Sequence, residues 1–562
     1  MKKIFRNSLL MMVAGMLVAS CADYNELNNF SAEPDPSIVT PYQDLAPVKS
    51  YIDREANPNL QIGATLDITE FNKQELSHSA VMTNFDNVSF GKSLMSGTIV
   101  SEKGVMNFVN MMDLLEHMGE IGGTVFGSPI VANANQADGW LALLTAPIEI
   151  TVDFVEGKTM NFNDYKVGEQ PCTNKSKQLA KIVKYDGQNA LNIPSTGKVN
   201  IIEGFEVAPG ATYTVTFWAM ADKDASYKVN FSGNTIDGTA TTDGKWKLPS
   251  GKWTKVVVES KAAEGVTEGY LEIEMIRGST MNIQKAEVGY YPDNHKEQTP
   301  EQKNDTVMYA LNTWCDGFMK INEGRIKLFD LIDEAIDVNN EIEVSGKSIY
   351  DLKHSTTTSQ IFWQDVLGSE NYAPVVAKIA REKFTEYGGD PKELKFFISE
   401  SALENPKKME SLVEWIKIWD GKGALIDVIT AKVNLAYYEQ PDKLAECKAA
   451  YEALLDKLAQ TGKFVRLTNF DIKYMDAKGA SVATAKITDE QRQQLADFNA
   501  YAIKAYMSKI PKDKQSGICK STLVDGSDPV GLWTPNSKTK DWMRTATYKA
   551  WCEALSGKLN EK

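Results

Sequence analysis

Three rhythms of apolar and polar residues follow one another along this chain. From Pro47 to Pro147 strand-like and helix-like pieces mix. Within them Val105, Phe108, Val109, Met112 and Leu115 recur at helical spacing and predict an amphipathic helix over Gly104–Met118. From Glu149 to Pro292 the helical spacing vanishes and alternation takes over, in Thr212–Met220, Lys255–Glu259 and Tyr270–Ile276. Turn signals at Asp186-Gly187, Pro209-Gly210 and Asp243-Gly244 separate the alternating runs, a pattern that predicts an all-β sandwich.

A polar linker from Asp293 to Asn304 ends this stretch, and long amphipathic helices return. They are expected over Thr306–Asn322, Tyr372–Tyr387, Pro406–Trp419, Pro441–Gln460 and Thr488–Ser508. Short apolar strands lie between them at Lys327–Ile332, Leu394–Ile398, Leu425–Ile429 and Phe464–Leu467. Helices alternating with short apolar strands imply βα units around a parallel sheet, and the length favours closure. The expected fold class is therefore α/β: a (β/α)8 TIM barrel with an all-β sandwich inserted in a barrel loop. The expected boundaries are 46–147 and 296–562 for the two parts of the barrel and 148–295 for the insert.

The first residues have a different purpose. Lys2, Lys3 and Arg6 precede a short apolar run, Leu9–Val18, so 1–20 reads as a targeting segment. Val18-Ala19-Ser20-Cys21 resembles a lipoprotein cleavage site, which implies lipidation of Cys21 and a lipid-anchored, surface-exposed protein of a cell outer membrane. Residues 21–45, rich in Asn, Ser, Pro and acidic side chains, read as a tether. A net charge of −14 argues against nucleic acid as a partner. The cysteines beyond Cys21 and the four histidines are scattered, so neither a disulfide framework nor a metal site is expected, and no cofactor.

Candidate chemistry sits at the ends of the predicted strands. Val465–Ile472 reads V-R-L-T-N-F-D-I and resembles the strand of glycoside hydrolase family 10, the endo-1,4-β-xylanase family, that ends I-T-E-L-D-I. Five other segments are similar to that family in the same order. Phe85–Ser89 looks like F-N-x-V-T, and Gly91 and Lys92 stand where the family has a Glu-Asn pair. Gly122–Ser128 looks like G-H-T-L-V-W-H, with Gly123, Gly127 and Ser128 at the His, Trp and His positions. Phe329–Ala335 looks like W-D-V-V-N-E-A, keeping Glu334 and replacing Asn by Asp333. Ile426–Asn434 looks like I-D-G-I-G-x-Q-x-H, with Lys432 and Asn434 in place of Gln and His. Gly517–Asp525 is similar to the last strand, with Ser521 for Trp. The insert resembles a family-4-like carbohydrate-binding module, and the whole resembles lipoproteins of the gut Bacteroides type.

The resemblance implies that Glu334 holds the acid/base position and Asn469 the nucleophile position. An amide cannot be the carboxylate nucleophile of a retaining glycosidase. Alternation sets Asp333 and Glu334 on opposite strand faces, so they are not expected to form a facing pair. Asp471, two positions after Asn469, could face Glu334 instead, although the family keeps an Asp there in ordinary members. The expected function is a non-catalytic polysaccharide-binding protein serving a polysaccharide-utilisation system. Its expected partners are a β-linked, xylan-like polysaccharide, the membrane through the N-terminal lipid, and a glycan transporter with surface hydrolases. The alternatives are a weak or altered endo-β-glycoside hydrolase and a scaffold of a glycan-uptake complex. Sugar-contact candidates in the barrel are Trp140, Lys432, Asn434, Tyr437 and Trp533, with Asn133, Asn135, Gln136 and Tyr438 beside them. In the insert they are Trp246 and Trp253, then Trp218 and Tyr270, with either Phe217 or Trp218 expected in the core.

Overall fold

The computed structural model describes residues 42–557 apart from 122–123, 238–245, 277, 358–359 and 537–540. The expected targeting segment and Cys21 lie outside the described residues, as does Gly123. The chain forms two compact units, one of residues up to Thr145 together with those from Gln302 on, the other of Ala146–Glu301. Among the described residues no helix is long and apolar enough to cross a membrane.

The first unit is built on eight parallel strands: β1 (Ile62–Thr65), β2 (Asn87–Ser89), β3 (Thr124–Gly127), β4 (Leu328–Asp333), β5 (Lys395–Ser401), β6 (Val428–Lys432), β7 (Phe464–Thr468) and β8 (Gln515–Lys520). Each pairs with the next, and β8 returns to β1 with Ile62 opposite Ile518, closing a (β/α)8 barrel. Closure brings β8 close to the residue before β1. A Cβ at Gly517 (φ +132) would lie 1.9 Å from the Gln61 carbonyl oxygen, so only glycine fits there. Outside the strands, the helices Tyr372–Glu386 and Pro406–Gly421 bury Tyr372, Trp415 and Trp419. The second of them starts where the Asn405 side chain accepts from the Lys407 and Lys408 amides, with Pro406 next in line. Thr488 and Gln491 form a reciprocal capping box on helix Asp489–Lys509.

Two expectations are corrected. The helix expected over Gly104–Met118 spans Val109–Ile121. Gly104 sits at φ +79 and Val100 bridges Met106, so Val105 belongs to a turn and the helical phase starts later. Val105, Val109 and Met112 are exposed, whereas Met111, Leu114 and Leu115 are buried. The polar linker is also shorter than expected, because helix Pro300–Asn322 starts within it. One element was not anticipated: a hairpin, Ile336–Val344 with Lys347–Leu352, follows β4 directly.

The second unit is a sandwich of two antiparallel sheets. One orders Thr254–Ser260, Thr212–Ala221, Met281–Tyr291, Gln188–Ile193 and Lys181–Tyr185, with Val155–Asn161 also on Met281–Tyr291. The other orders Asn234–Ile236, Ala225–Phe231, Glu268–Ile276 and Lys198–Glu206, with Trp246–Leu248 on Ala225–Phe231. In Thr212–Ala221 the alternation buries Tyr213, Val215, Phe217 and Ala219 between the sheets. Phe217 is thus the core ring, and Trp218 is half-buried on the other face.

A cation-bridged carboxylate cluster at the barrel mouth

Alternation along each barrel strand decides which side chains enter the lumen. Leu328, Phe126, Phe397, Val428 and Phe464 pack together as an apolar layer. Nearer the strand ends come Asp330, Ser399, Thr430, Arg466 and Thr468, which line a cavity of 380 Å³ together with Lys92, Lys432, Asn469 and Ser521. The Arg466 guanidinium stacks on the Phe126 ring at 3.6 Å from its centre and donates to Asn87 Oδ1 at 3.3 Å. Gly63 on β1 makes room for Asn87, since a Cβ there would lie 2.2 Å from Asn87 Oδ1 and 3.2 Å from Arg466 Nη2.

Glu334 follows directly on β4. Its backbone is left-handed (φ +53), and its amide donates to the Ser399 carbonyl at 2.9 Å. Asn469 follows β7 in the same conformation (φ +55), and its side-chain oxygen accepts from Ser521 Oγ at 3.2 Å. A non-glycine residue in this region costs of order 1 kcal/mol or more, and asparagine tolerates it best.

The left-handed turn at Glu334 breaks the alternation expected of Asp333 and Glu334, and both carboxylates reach one ammonium. Lys432 Nζ hydrogen-bonds Asp333 Oδ1 and lies 3.1 Å from Glu334 Oε1. The other Glu334 oxygen accepts from Ser401 Oγ at 2.9 Å and lies 3.8 Å from Lys408 Nζ. Lys408 is itself buried, paired with the buried Glu400 at 2.7 Å. Burial pushes the Glu334 carboxyl up, but Lys432, then Lys408, with hydrogen bonds from Ser401 and Lys432, pull it below the ordinary glutamate range. Burial raises Asp333, against the opposing pull of Lys432. Burial and the nearby Asp333 push Asp330 well above the usual aspartate range.

Asp471 is engaged elsewhere. It accepts from the buried Lys520 ammonium at 2.6 Å and from the Thr522 amide at 3.1 Å. Its charge balances Lys520 within the barrel wall.

The other candidates scatter. Lys432 and Asn469 line the cavity, and Asn434 is exposed beyond the end of β6. Asn135 lines the cavity and donates to the Lys92 carbonyl, whereas Asn133 and Gln136 are buried. Trp140 and Trp533 are core residues, 6% and 5% exposed, with no ring face open to a sugar. A Cβ on Gly104 would meet the Trp140 indole at 2.5 Å, and Trp533 packs among Phe85, Trp542 and Tyr548. Tyr437 is half-buried and stacked on Tyr474. In the sandwich, Trp246 stacks on Tyr227 and donates to the Ile236 carbonyl, while Trp253 donates to Asp186 and meets Tyr185 edge-on. Sequence reasoning missed Asp330, Ser399, Glu400, Lys408 and Arg466. Alternation back from Thr468 would have found Arg466, but nothing in the sequence points to Lys408.

Comparison with known proteins matches part of the chain to a family model. Residues 290–537 match Glycosyl hydrolase family 10. Among solved structures, xylanase B from Clostridium stercorarium F9 is 12% identical over 91% of this chain and 100% of its own, with a TM-score of 0.50. Penicillium canescens endo-1,4-beta-xylanase XylE is 13% identical over 92% and 98%, with a TM-score of 0.48. GH10 from Paenibacillus barcinonensis is 12% identical over 91% and 99%, with a TM-score of 0.49. No curated protein sequence matches. Residues 290–537 are thus similar to glycosyl hydrolase family 10, and the chain's parallel strands close a (β/α)8 barrel.

Proposed function

We propose that this barrel binds a β-linked, xylan-like polysaccharide without cleaving it. The observation that carries the reading is the state of the two catalytic positions. A retaining glycosidase needs a nucleophilic carboxylate about 5 Å from a carboxyl that is protonated when the substrate arrives. Here the first position is the amide of Asn469. The second, Glu334, is held ionised between two lysines, so it has no proton to give. The lumen presents Thr65, Ser89, Ser399, Thr430 and Ser521, small hydroxyls suited to a sugar's hydroxyl groups. Capture is an equilibrium that leaves the glycan unchanged. The β-sandwich, read as a carbohydrate-binding module, adds avidity. Lipidation at Cys21 sets the protein on the outer membrane, where it supplies glycan to neighbouring hydrolases and a transporter.

A reducing-sugar assay on xylan with wild type and Glu334→Gln tests the reading. No release by either is expected, and release by wild type that is lost in Glu334→Gln would establish a hydrolase instead. Affinity electrophoresis against a glycan panel tests binding. Retardation by a β-linked glycan is expected, and retardation by none would favour a scaffold.

A further inference from the structure

We infer that the barrel mouth takes an anionic sugar, a residue bearing a carboxylate or a sulfate ester, with Lys92 as the cation that meets it. The inference rests on the binding reading and adds the ligand's charge. Four departures from the family pattern each shift the mouth towards positive charge. Gly91 and Lys92 stand in place of Glu and Asn, Lys432 in place of Gln, and Asn469 in place of Glu. Asp333, in place of Asn, opposes them. The charge of Lys432 is taken up by Asp333 and Glu334. Lys92 is not so engaged. It is exposed on the short turn Gly91–Leu94, lines the cavity, and makes no ion pair among the described residues. Asp67 and Glu70 border the adjoining groove, and neither is within ion-pair distance of Lys92.

The deeper part of the cavity fits the same ligand. Arg466 is 4% exposed, and among the described residues it has no carboxylate within ion-pair distance and makes a single side-chain hydrogen bond, the 3.3 Å contact with Asn87. Asp330 attracts it from beyond ion-pair distance; a buried guanidinium without a paired carboxylate is costly, and an arriving anion relieves that cost. Asp330 shares the cavity, and among the described residues its Oδ1 has no hydrogen-bond partner. Burial and Asp333 favour its neutral form, so it offers a donor in place of a repelling charge. A neutral xylose unit gives none of these groups a counter-ion.

The test is binding of the full protein to three probes at low and high salt: xylan substituted with glucuronic acid, the same xylan with its carboxylates reduced to alcohols, and sulfated xylan. Preference for one of the charged probes over the reduced one is expected, and which one names the anion. Lys92→Gln, an exposed exchange with little risk to the fold, is expected to weaken the preferred probe by about fivefold or more and to shrink its salt dependence. Equal binding of all three overturns the inference and leaves the binding function standing. So does a charged preference that Lys92→Gln does not change, since the anion then binds elsewhere. Binding of none overturns the binding function itself.

Discussion

Lys432 Nζ lies 3.1 Å from Glu334 Oε1, so the carboxylate that the proposed reading sets at the proton-donor position is one arm of an ion pair. The same ammonium holds Asp333, and all three side chains are at most about one quarter exposed. Removing the shared cation leaves two facing carboxylates partly buried. Lys432→Ala is expected to destabilise the barrel by about 3 kcal/mol, read from denaturant unfolding. Adding Asp333→Asn and Glu334→Gln should return most of that loss, because neutral amides need no counter-ion. If the triple variant is as unstable as Lys432→Ala, the loss came from packing and not from charge.

The ion pair also bears on the proposed reading of Asn469. Asn469→Glu sets a carboxylate where that reading places the lost nucleophile. Glu334 still lies between Lys432 and Lys408, however, and both oppose the rise in its pKa that a second carboxylate would bring. The left-handed backbone at residue 469 also suits asparagine better than glutamate, at a cost of about 1 kcal/mol. The single variant is expected to release no more reducing sugar from xylan than wild type. Xylanase rates like those of working enzymes would show that Lys432 does not hold Glu334 in the ionised form.

How far the sequence reached follows from what each element encodes. Strands such as Phe464–Thr468 are short apolar runs set off by polar neighbours, and they were legible to within about three residues, Leu425–Ile429 being observed as Val428–Lys432. The ends of the strands were less so. Nothing about a glutamate announces a left-handed φ, so Asp333 and Glu334 were expected on opposite faces, yet both reach Lys432. Lys408 comes to the site from the first turn of a helix, and only the packing of that helix on β5 brings it there. The aromatic candidates fail for a related reason: Trp140 and Trp533 carry the same rings whether they face sugar or core, and burial decides between the two.

Those two tryptophans make opposite predictions from a platform residue. Trp140→Ala or Trp533→Ala removes a buried indole and is expected to lower stability by about 3–5 kcal/mol. At temperatures where the variants remain folded, glycan affinity should be unchanged within error. A loss of affinity from a fully folded variant, with the melting curve matched to wild type, would place the ring in the sugar site.

Glu400 gives the barrel a pH dependence of its own. It is fully buried on β5, accepts from the Ile336 amide at 2.9 Å and pairs with Lys408 at 2.7 Å. Burial nevertheless dominates and pushes its carboxyl up to about 7. In the unfolded chain the same group titrates near the ordinary glutamate value, about 4.3. The folded state therefore holds the proton longer. This contribution to stability is complete below the unfolded value and is lost as pH rises through the folded one. Between about pH 4.5 and pH 7 it amounts to roughly 3 kcal/mol at most. Glu400→Gln, a neutral amide of the same shape, removes the titration. The gap in melting temperature between wild type and this variant should shift in the variant's favour as pH rises across that window. A gap that stays constant from acid to neutral pH would mean that Glu400 is already ionised in the fold, held by Lys408.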